Sequence, residues 1–266
     1  MNYQEICRDT IDVVKKTASM VRHQHEHREE WSVEEKGRHD FVTGADKKAE
    51  AMLVVGLEKL LPEAGFIAEE GTSERRGEKF NWVIDPIDGT TNFIHGVFPF
   101  AISVALMEQD EPVVGVVYEF GADETFYSWK DGGAWLNEKP IKVSRAGSIG
   151  DALIATGFPY TRYQRMDRFM KTLDWFMRNS HGLRRLGSAA TDIVYVACGR
   201  YDGFYEYGLN PWDVAAGVLI LREAGGKITD FSGGNSYIFE EEIVCSNGFI
   251  HDTFVEAIRN IMVKDT

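Results

Sequence analysis

The segment FNWVIDPIDGTTNF, Phe80 to Phe93, constrains this chain more than any other part of it. Phe80–Asp85 reads as a hydrophobic strand that delivers an acid at its end. Pro86 has no amide hydrogen to give a neighbouring strand, so ordinary pairing is expected to stop there. Asp88 follows three residues after Asp85. Two carboxylates this close repel each other unless a cation lies between them. Hard divalent ions such as Mg²⁺ prefer oxygen ligands of this kind. Gly89 lets the backbone come close to a ligand. Thr90 and Thr91 add hydroxyls, and a helix starting there would offer free N–H groups to a phosphate. The plainer alternative is an Asp-rich turn that caps a helix.

Around this segment the pattern is mixed. Helices are expected over 3–22, 46–61, 162–178, 188–198, 213–224 and 251–263. Strands are expected over 100–107, 113–118, 124–129, 152–156, 203–207, 227–230 and 242–246. A hairpin is expected over 134–143, turning at Asn137-Glu138. Residues 31–45 lack a period and fit a loop or a short hairpin. His23 and His27 share a helical face, either as an adventitious metal site or as part of a solvated helix end. Strands cluster centrally with helices on both sides, which points to a layered α/β or α+β architecture with two sheets. There is no internal repeat, and 1–266 reads as one domain with a soft division near residue 145.

Composition removes several classes of function. A net charge of −13 argues against broad electrostatic binding to nucleic acid. A local basic stretch remains in Arg162, Arg165, Arg168, Arg178, Arg184 and Arg185. It reads as a solvated or dimer-contacting face. The uncharged run that ends at Met107 is broken by His95, Gly96 and Pro99, so a membrane span of about 20 apolar residues is not expected. The N-terminal residues carry acids where a signal peptide needs a basic and then an apolar segment. Cys7, Cys198 and Cys245 are scattered without disulfide or metal spacing, which fits a reducing cytoplasm.

WVIDPIDGTTNF resembles the signature of the inositol monophosphatase family of Mg²⁺-dependent, Li⁺-sensitive sugar and polyol phosphatases. Asn210-Pro211-Trp212-Asp213-Val214-Ala215-Ala216-Gly217, followed by Glu223-Ala224-Gly225-Gly226, resembles that family's second signature. The resemblance runs from about Lys36 to about Gly226. It implies an αβαβα sandwich, usually a homodimer, that hydrolyses phosphate monoesters by attack of an activated water. The Thr-Thr-Asn-Phe tail favours myo-inositol 1-phosphate. Phosphatases of 3′-phosphoadenosine 5′-phosphate, fructose 1,6-bisphosphate and histidinol phosphate are the alternatives.

Site residues follow from the same resemblance. Asp85 is implied to bridge two Mg²⁺ ions, with Glu69 and the Ile87 carbonyl on one and Asp88 and Asp213 on the other. Glu69 touches a third, weaker ion where one binds, and its choice over Glu70 rests on the resemblance alone. Glu69 and Thr90 are implied to orient the water. Asp88, Gly89, Thr90, Gly187, Ser188, Ala189, Glu206 and Asp213 are implied to surround the substrate. Helix N-termini after Gly89 and Gly187 would add N–H donors. Ser188 also reads simply as a helix cap, and Glu206 as an exposed strand acid. Lys36 and Asp46 match residues of a mobile segment near the site, or form a surface pair. The substrate-contacting serine expected near Phe158-Pro159-Tyr160 has no counterpart.

Overall fold

The computed structural model describes residues 1–27, 33–37, 40–73, 75–160 and 162–263, with only the backbone course at 33–37 and 40–42. One antiparallel hairpin pairs β1 (Val33–Gly37) with β2 (Asp40–Thr43). A seven-stranded sheet follows in chain order: β3 (Gly65–Ala68), β4 (Phe80–Asp88), β5 (Ala101–Glu108), β6 (Glu111–Glu119), β7 (Glu124–Trp129), β8 (Ala134–Leu136) and β9 (Lys139–Ile141). A five-stranded sheet is built from β10 (Leu153–Thr156), β11 (Gly182–Arg184), β12 (Gly203–Tyr207), β13 (Lys227–Thr229) and β14 (Glu242–Ser246), in the order β11-β10-β12-β14-β13.

Helices fill the spaces between and outside the sheets. α1 (Tyr3–Glu26) and α2 (Gly44–Leu60) cover one face of the larger sheet. α5 (Ala189–Ala197) and α6 (Pro211–Glu223) lie between the two sheets. α4 (Met166–Asn179) and α7 (His251–Met262) cover the far face of the smaller sheet. A short α3 (Thr90–His95) leaves the end of β4. The result is a layered α/β sandwich of the order αβαβα.

Three buried cores correspond to the layer boundaries. Val14, Val21, Leu53 and Leu57 pack on Trp82, Ile84 and Val104 in the first. The middle core joins Val83, Ala105 and Val117 to Ile193, Val218, Phe204 and Ile243, so it draws on both sides of residue 145. The third packs Phe169, Phe176, Phe254 and Ile258 against Ile154, Tyr205 and Val244. α6 faces protein on nearly all sides, and Val214 to Leu221 are all buried. That explains its uniformly apolar and small sequence, unlike the one-sided α1. Gly115 on β6 makes the close approach possible, since a β-carbon there would lie 2.7 Å from the Ala216 carbonyl oxygen.

Several expectations need correction. β4 does not stop at Asp85 but continues through Pro86 to Asp88. Its pairing with β5 shifts register in that interval, and a bulge tolerates a residue with no N–H. α1 continues to Glu26, so the HQHE stretch is helical. The His23 and His27 rings stack with centroids 4.3 Å apart, and His27 Nδ1 lies 2.8 Å from the His23 carbonyl oxygen. β3 and β11 were not anticipated, being short strands at sheet edges with too few residues to show a period. Of the segment 31–45, the described residues 33–37 and 40–43 do pair as two antiparallel strands, and α2 starts at Gly44. α6 starts at Pro211, which places Asp213 inside its first turn.

Candidate active site

Residues three apart on a regular strand point to opposite faces of the sheet. Asp85 pairs with Ser103 and Asp88 with Ala101, so β4 spends one residue more than β5 over this interval. The bulge undoes the alternation. Asp85 and Asp88 then converge with Asp213, with one carboxylate oxygen from each lying within 4.8 Å of the others.

Asp213 comes from the opposite side, at the N-terminus of α6. Its Oδ2 accepts the Asn210 amide at 2.7 Å, a capping arrangement that holds the side chain at the helix start. The Ser103 hydroxyl donates to the Trp212 carbonyl at 3.1 Å. Since Ser103 pairs with Asp85, this bond ties the α6 N-terminus to the strand position that carries the first acid. Asp88 is braced from α5, accepting the Ser188 hydroxyl at 2.5 Å and the Ala190 amide at 2.8 Å. Asp85 accepts the Ile87 amide at 3.0 Å and otherwise meets Glu69 and Asp213.

Crowding of acids in a low-dielectric site favours protons. Burial, reinforced by Glu69, Asp88 and Asp213, drives Asp85 well above the usual carboxylate range. Burial also raises Asp88 to about 6, against the opposing effect of the Ser188 hydroxyl and the α5 amides. Burial and the charge of Asp88 raise Asp213 to about 7.

The neighbouring residues sort themselves by position. Glu69 lines the cavity, whereas the Glu70 amide donates to Glu50 and its side chain is not part of the lining. Thr90 Oγ1 lies 3.2 Å from Asp46 Oδ1 and 3.0 Å from the Ile87 carbonyl oxygen, so its single proton serves one or the other. Asp46 is fully buried in the cap of α2, where it accepts from the Thr43 amide at 2.8 Å, so it is no surface acid. Lys36 lies on β1 with its side chain outside the described residues. Gly89 holds φ +93°, and a β-carbon there would also press within 3.0 Å of the Gly187 carbonyl oxygen.

The cavity, about 200 Å³, is also lined by Gly157, Glu206, Ser188, Ala189 and Gly187. Glu206 is 8% exposed, so it is a buried wall residue rather than an exposed strand acid. Ser188 does cap α5, accepting from Thr191, while also serving Asp88. The α5 N-terminus is therefore partly occupied by Asp88, which changes the expectation that its amides face a phosphate. At the mouth, where the resemblance leads one to look for a serine, stand Phe158 and Tyr160. The Arg185 guanidinium lies 5.0 and 5.3 Å from their ring centroids and also meets the Tyr160 hydroxyl.

Ser103 and Asp192 carry no signal in the sequence, Arg185 shows there only as part of the basic stretch, and Gly157 only as one end of the 157–185 segment on which specificity is expected to depend. Asp192 is 1% exposed on α5, and among the described residues neither of its carboxylate oxygens has a hydrogen-bond partner. Burial and the nearby Glu206 and Asp88 push it well above the usual range. No local pattern marks these roles, because each acts on a residue far away in the chain. The basic stretch is largely spent within the protein. Arg162 pairs with Glu241, Arg165 with Glu242, and Arg178 with Asp174.

The sequence profile of the inositol monophosphatase family matches residues 2–263. An inositol-1-monophosphatase of Mesorhizobium japonicum is 40% identical over 225 residues, covering 84% of this chain and 85% of that one. The Nus factor SuhB of Vibrio cholerae is 40% identical over 238 residues, covering 89% of each. The crystal structure of the extragenic suppressor protein suhB from Bartonella henselae superposes with a TM-score of 0.91 at 36% identity, covering 96% of this chain and 98% of that one. On a match that spans almost its whole length, the chain belongs to the inositol monophosphatase family.

Proposed function

We propose that this chain is a Mg²⁺-dependent phosphate monoester hydrolase that releases phosphate from myo-inositol monophosphate. The observation that carries the reading is the convergence of Asp85, Asp88 and Asp213 in the wall of a cavity that Glu206 also lines. Three buried or half-buried acids within 4.8 Å are costly without a cation, and an all-oxygen set suits Mg²⁺. The holding groups would be Asp85, Asp88, Asp213, the Ile87 carbonyl and Glu69, for two ions, with a third at Glu69. When bound, the ions supply positive charge to a phosphate dianion and acidify a water.

The chain's own groups do the positioning. Thr90 donates its hydrogen bond to Asp46 Oδ1 or to the Ile87 carbonyl, which leaves an oxygen lone pair free to accept a hydrogen bond from the attacking water and so orient it. Glu69, beside Asp85 on the cavity wall, offers a second acceptor for that water. Ser188 and the Ala190 amide hold Asp88 while Gly187 and Ala189 line the phosphate side. Glu206 faces the leaving alcohol and suits a polyol hydroxyl. The experiment is phosphate release from myo-inositol 1-phosphate, fructose 1,6-bisphosphate, 3′-phosphoadenosine 5′-phosphate and histidinol phosphate, with millimolar Mg²⁺ and with a chelator. Preference for the inositol ester, lost in chelator, is expected. Preference for another ester moves the substrate, and Mg²⁺-independent turnover overturns the chemistry.

We read the chain as one catalytic unit over 1–266, lithium-sensitive and homodimeric, in line with the family resemblance. A cytoplasmic location is supported by three free cysteines. Among the described residues no helix is long and apolar enough to cross a membrane. The relatives named Nus factor raise a second reading, contact with the transcription machinery. The internal pairing of Arg162, Arg165 and Arg178 weighs against an arginine-rich docking face here. Absence of RNA polymerase and RNA from a low-salt pull-down is the expected result.

A further inference from the structure

Glu206 reaches the cavity from β12, and its carboxylate rests against a glycine just past the end of the neighbouring strand. β10 and β12 run parallel, with Thr156 paired to Tyr205. The Thr156 hydroxyl donates to the Tyr205 carbonyl at 2.8 Å, a bond that ties the end of β10 to β12 one residue before Gly157 and Glu206. A β-carbon on Gly157 would fall 2.0 Å from Cδ and from both carboxylate oxygens of Glu206. That is overlap, not a tight contact. Gly157 does not need its glycine for backbone reasons, since its φ is outside the left-handed region. Among the described residues the Glu206 carboxylate has no hydrogen-bond partner, so packing on Gly157 is what holds it.

We infer that Gly157 is a positioning residue: it seats the Glu206 carboxylate in the cavity wall and so sets the preference for esters whose leaving alcohol carries a free hydroxyl. The inference rests on the phosphatase reading given above. It deepens that reading by naming the residue behind the selectivity. Arg185 and Asp192 are charged neighbours of this acid. Displaced from its seat, the carboxylate loses its grip on the substrate hydroxyl.

The test compares kcat/KM for myo-inositol 1-phosphate with that for phenyl phosphate, whose leaving group has no further hydroxyl. Gly157→Ala should lower the ratio of the two by about tenfold to hundredfold, mainly through KM, the size of one hydrogen bond to a charged group. In a Glu206→Ala background the same change should add little, because no carboxylate remains to displace. Glu206→Asp, one methylene shorter, should restore part of the ratio in Gly157→Ala. An unchanged ratio in folded Gly157→Ala, or losses that add fully to those of Glu206→Ala, overturns the inference alone. A wild type with no preference between the esters overturns the substrate reading and the inference with it. Should Gly157→Ala not fold, folding of the double variant with Glu206→Ala supports the seat, and its failure to fold overturns it.

Discussion

Glu50 and Glu119 are buried beneath loops at the margins of the seven-stranded sheet, while Asp85 is buried where that sheet meets α5 and α6. Glu50 accepts the Glu70 and Thr72 amides, each at 2.7 Å. Glu119 accepts the Gly121 amide at 2.5 Å and the Ala122 amide at 2.8 Å. Asp85 has one amide and three other acids for company, and among the described residues the carboxylate of Asp192, near Asp88 and Glu206, has no hydrogen-bond partner. A buried acid whose oxygens meet amides stabilises a loop. A buried acid that meets acids holds an uncancelled cost, which a bound cation removes. The same residue type thus marks structure in one place and chemistry in the other.

The contrast breaks most visibly at the acids themselves. Asp85→Asn should lower Mg²⁺-supported turnover by on the order of 10²–10³-fold, while the metal-free protein melts no lower than the wild type. Turnover and melting with and without Mg²⁺ check this, and an active Asp85→Asn would end the assignment. Ser103→Ala removes only the tie between β5 and the Trp212 carbonyl. It should weaken activation by Mg²⁺ by about 10–100-fold, read as the Mg²⁺ concentration for half-maximal rate.

Protons sharpen the comparison further. Asp88, raised to about 6, and Asp213, raised to about 7, hold protons in the metal-free fold that the unfolded chain has released. Their contribution is fully present below about pH 4 and is lost as pH rises through 6 to 7. Metal-free protein should therefore lose stability across that window, and the stabilisation by Mg²⁺ should grow across it, since binding expels the same protons. Thermal melts from pH 5 to 8 in chelator and in Mg²⁺ test the sign.

Two smaller effects separate the two kinds of acid. Asp192→Asn should raise stability at neutral pH by about 1–3 kcal/mol, because the folded wild type must either ionise an unpartnered buried acid or keep it protonated. The gain should vanish below about pH 4, where the wild-type residue is neutral in both states. Glu119→Gln should do the reverse, losing about 1 kcal/mol with turnover intact, since it surrenders one acceptor of the Gly121 and Ala122 amides. Denaturant melts paired with turnover measure both.

Local sequence carried much of the secondary structure. Gly203–Tyr207 and Glu242–Ser246 fall where the strand pattern puts them. The turn at Asn137-Glu138 has φ of 44° and 66°, the left-handed pair that a tight hairpin requires. Edge strands such as Gly182–Arg184 stayed hidden, because three residues carry no period. Ordinary pairing does lapse at Pro86 as expected, but β4 itself runs on to Asp88, for a related reason. A proline ends regular pairing, but whether the chain leaves the sheet or bulges within it depends on the partner strand, here β5.

The same division holds at the site. Which acids belong together was legible from two motifs and their resemblance to a family, because motif order is written along one chain. How they meet was not. The bulge that turns Asp85 and Asp88 to one side, the Ser103 bond that brings Asp213 to them, and the vacancy at Gly157 that seats Glu206 each join residues from different strands or helices. Periodicity and capping act over a few residues and survive in the sequence alone. Convergence of charge and the room for a carboxylate exist only after the layers have packed, since both depend on distances between segments that the chain itself leaves far apart.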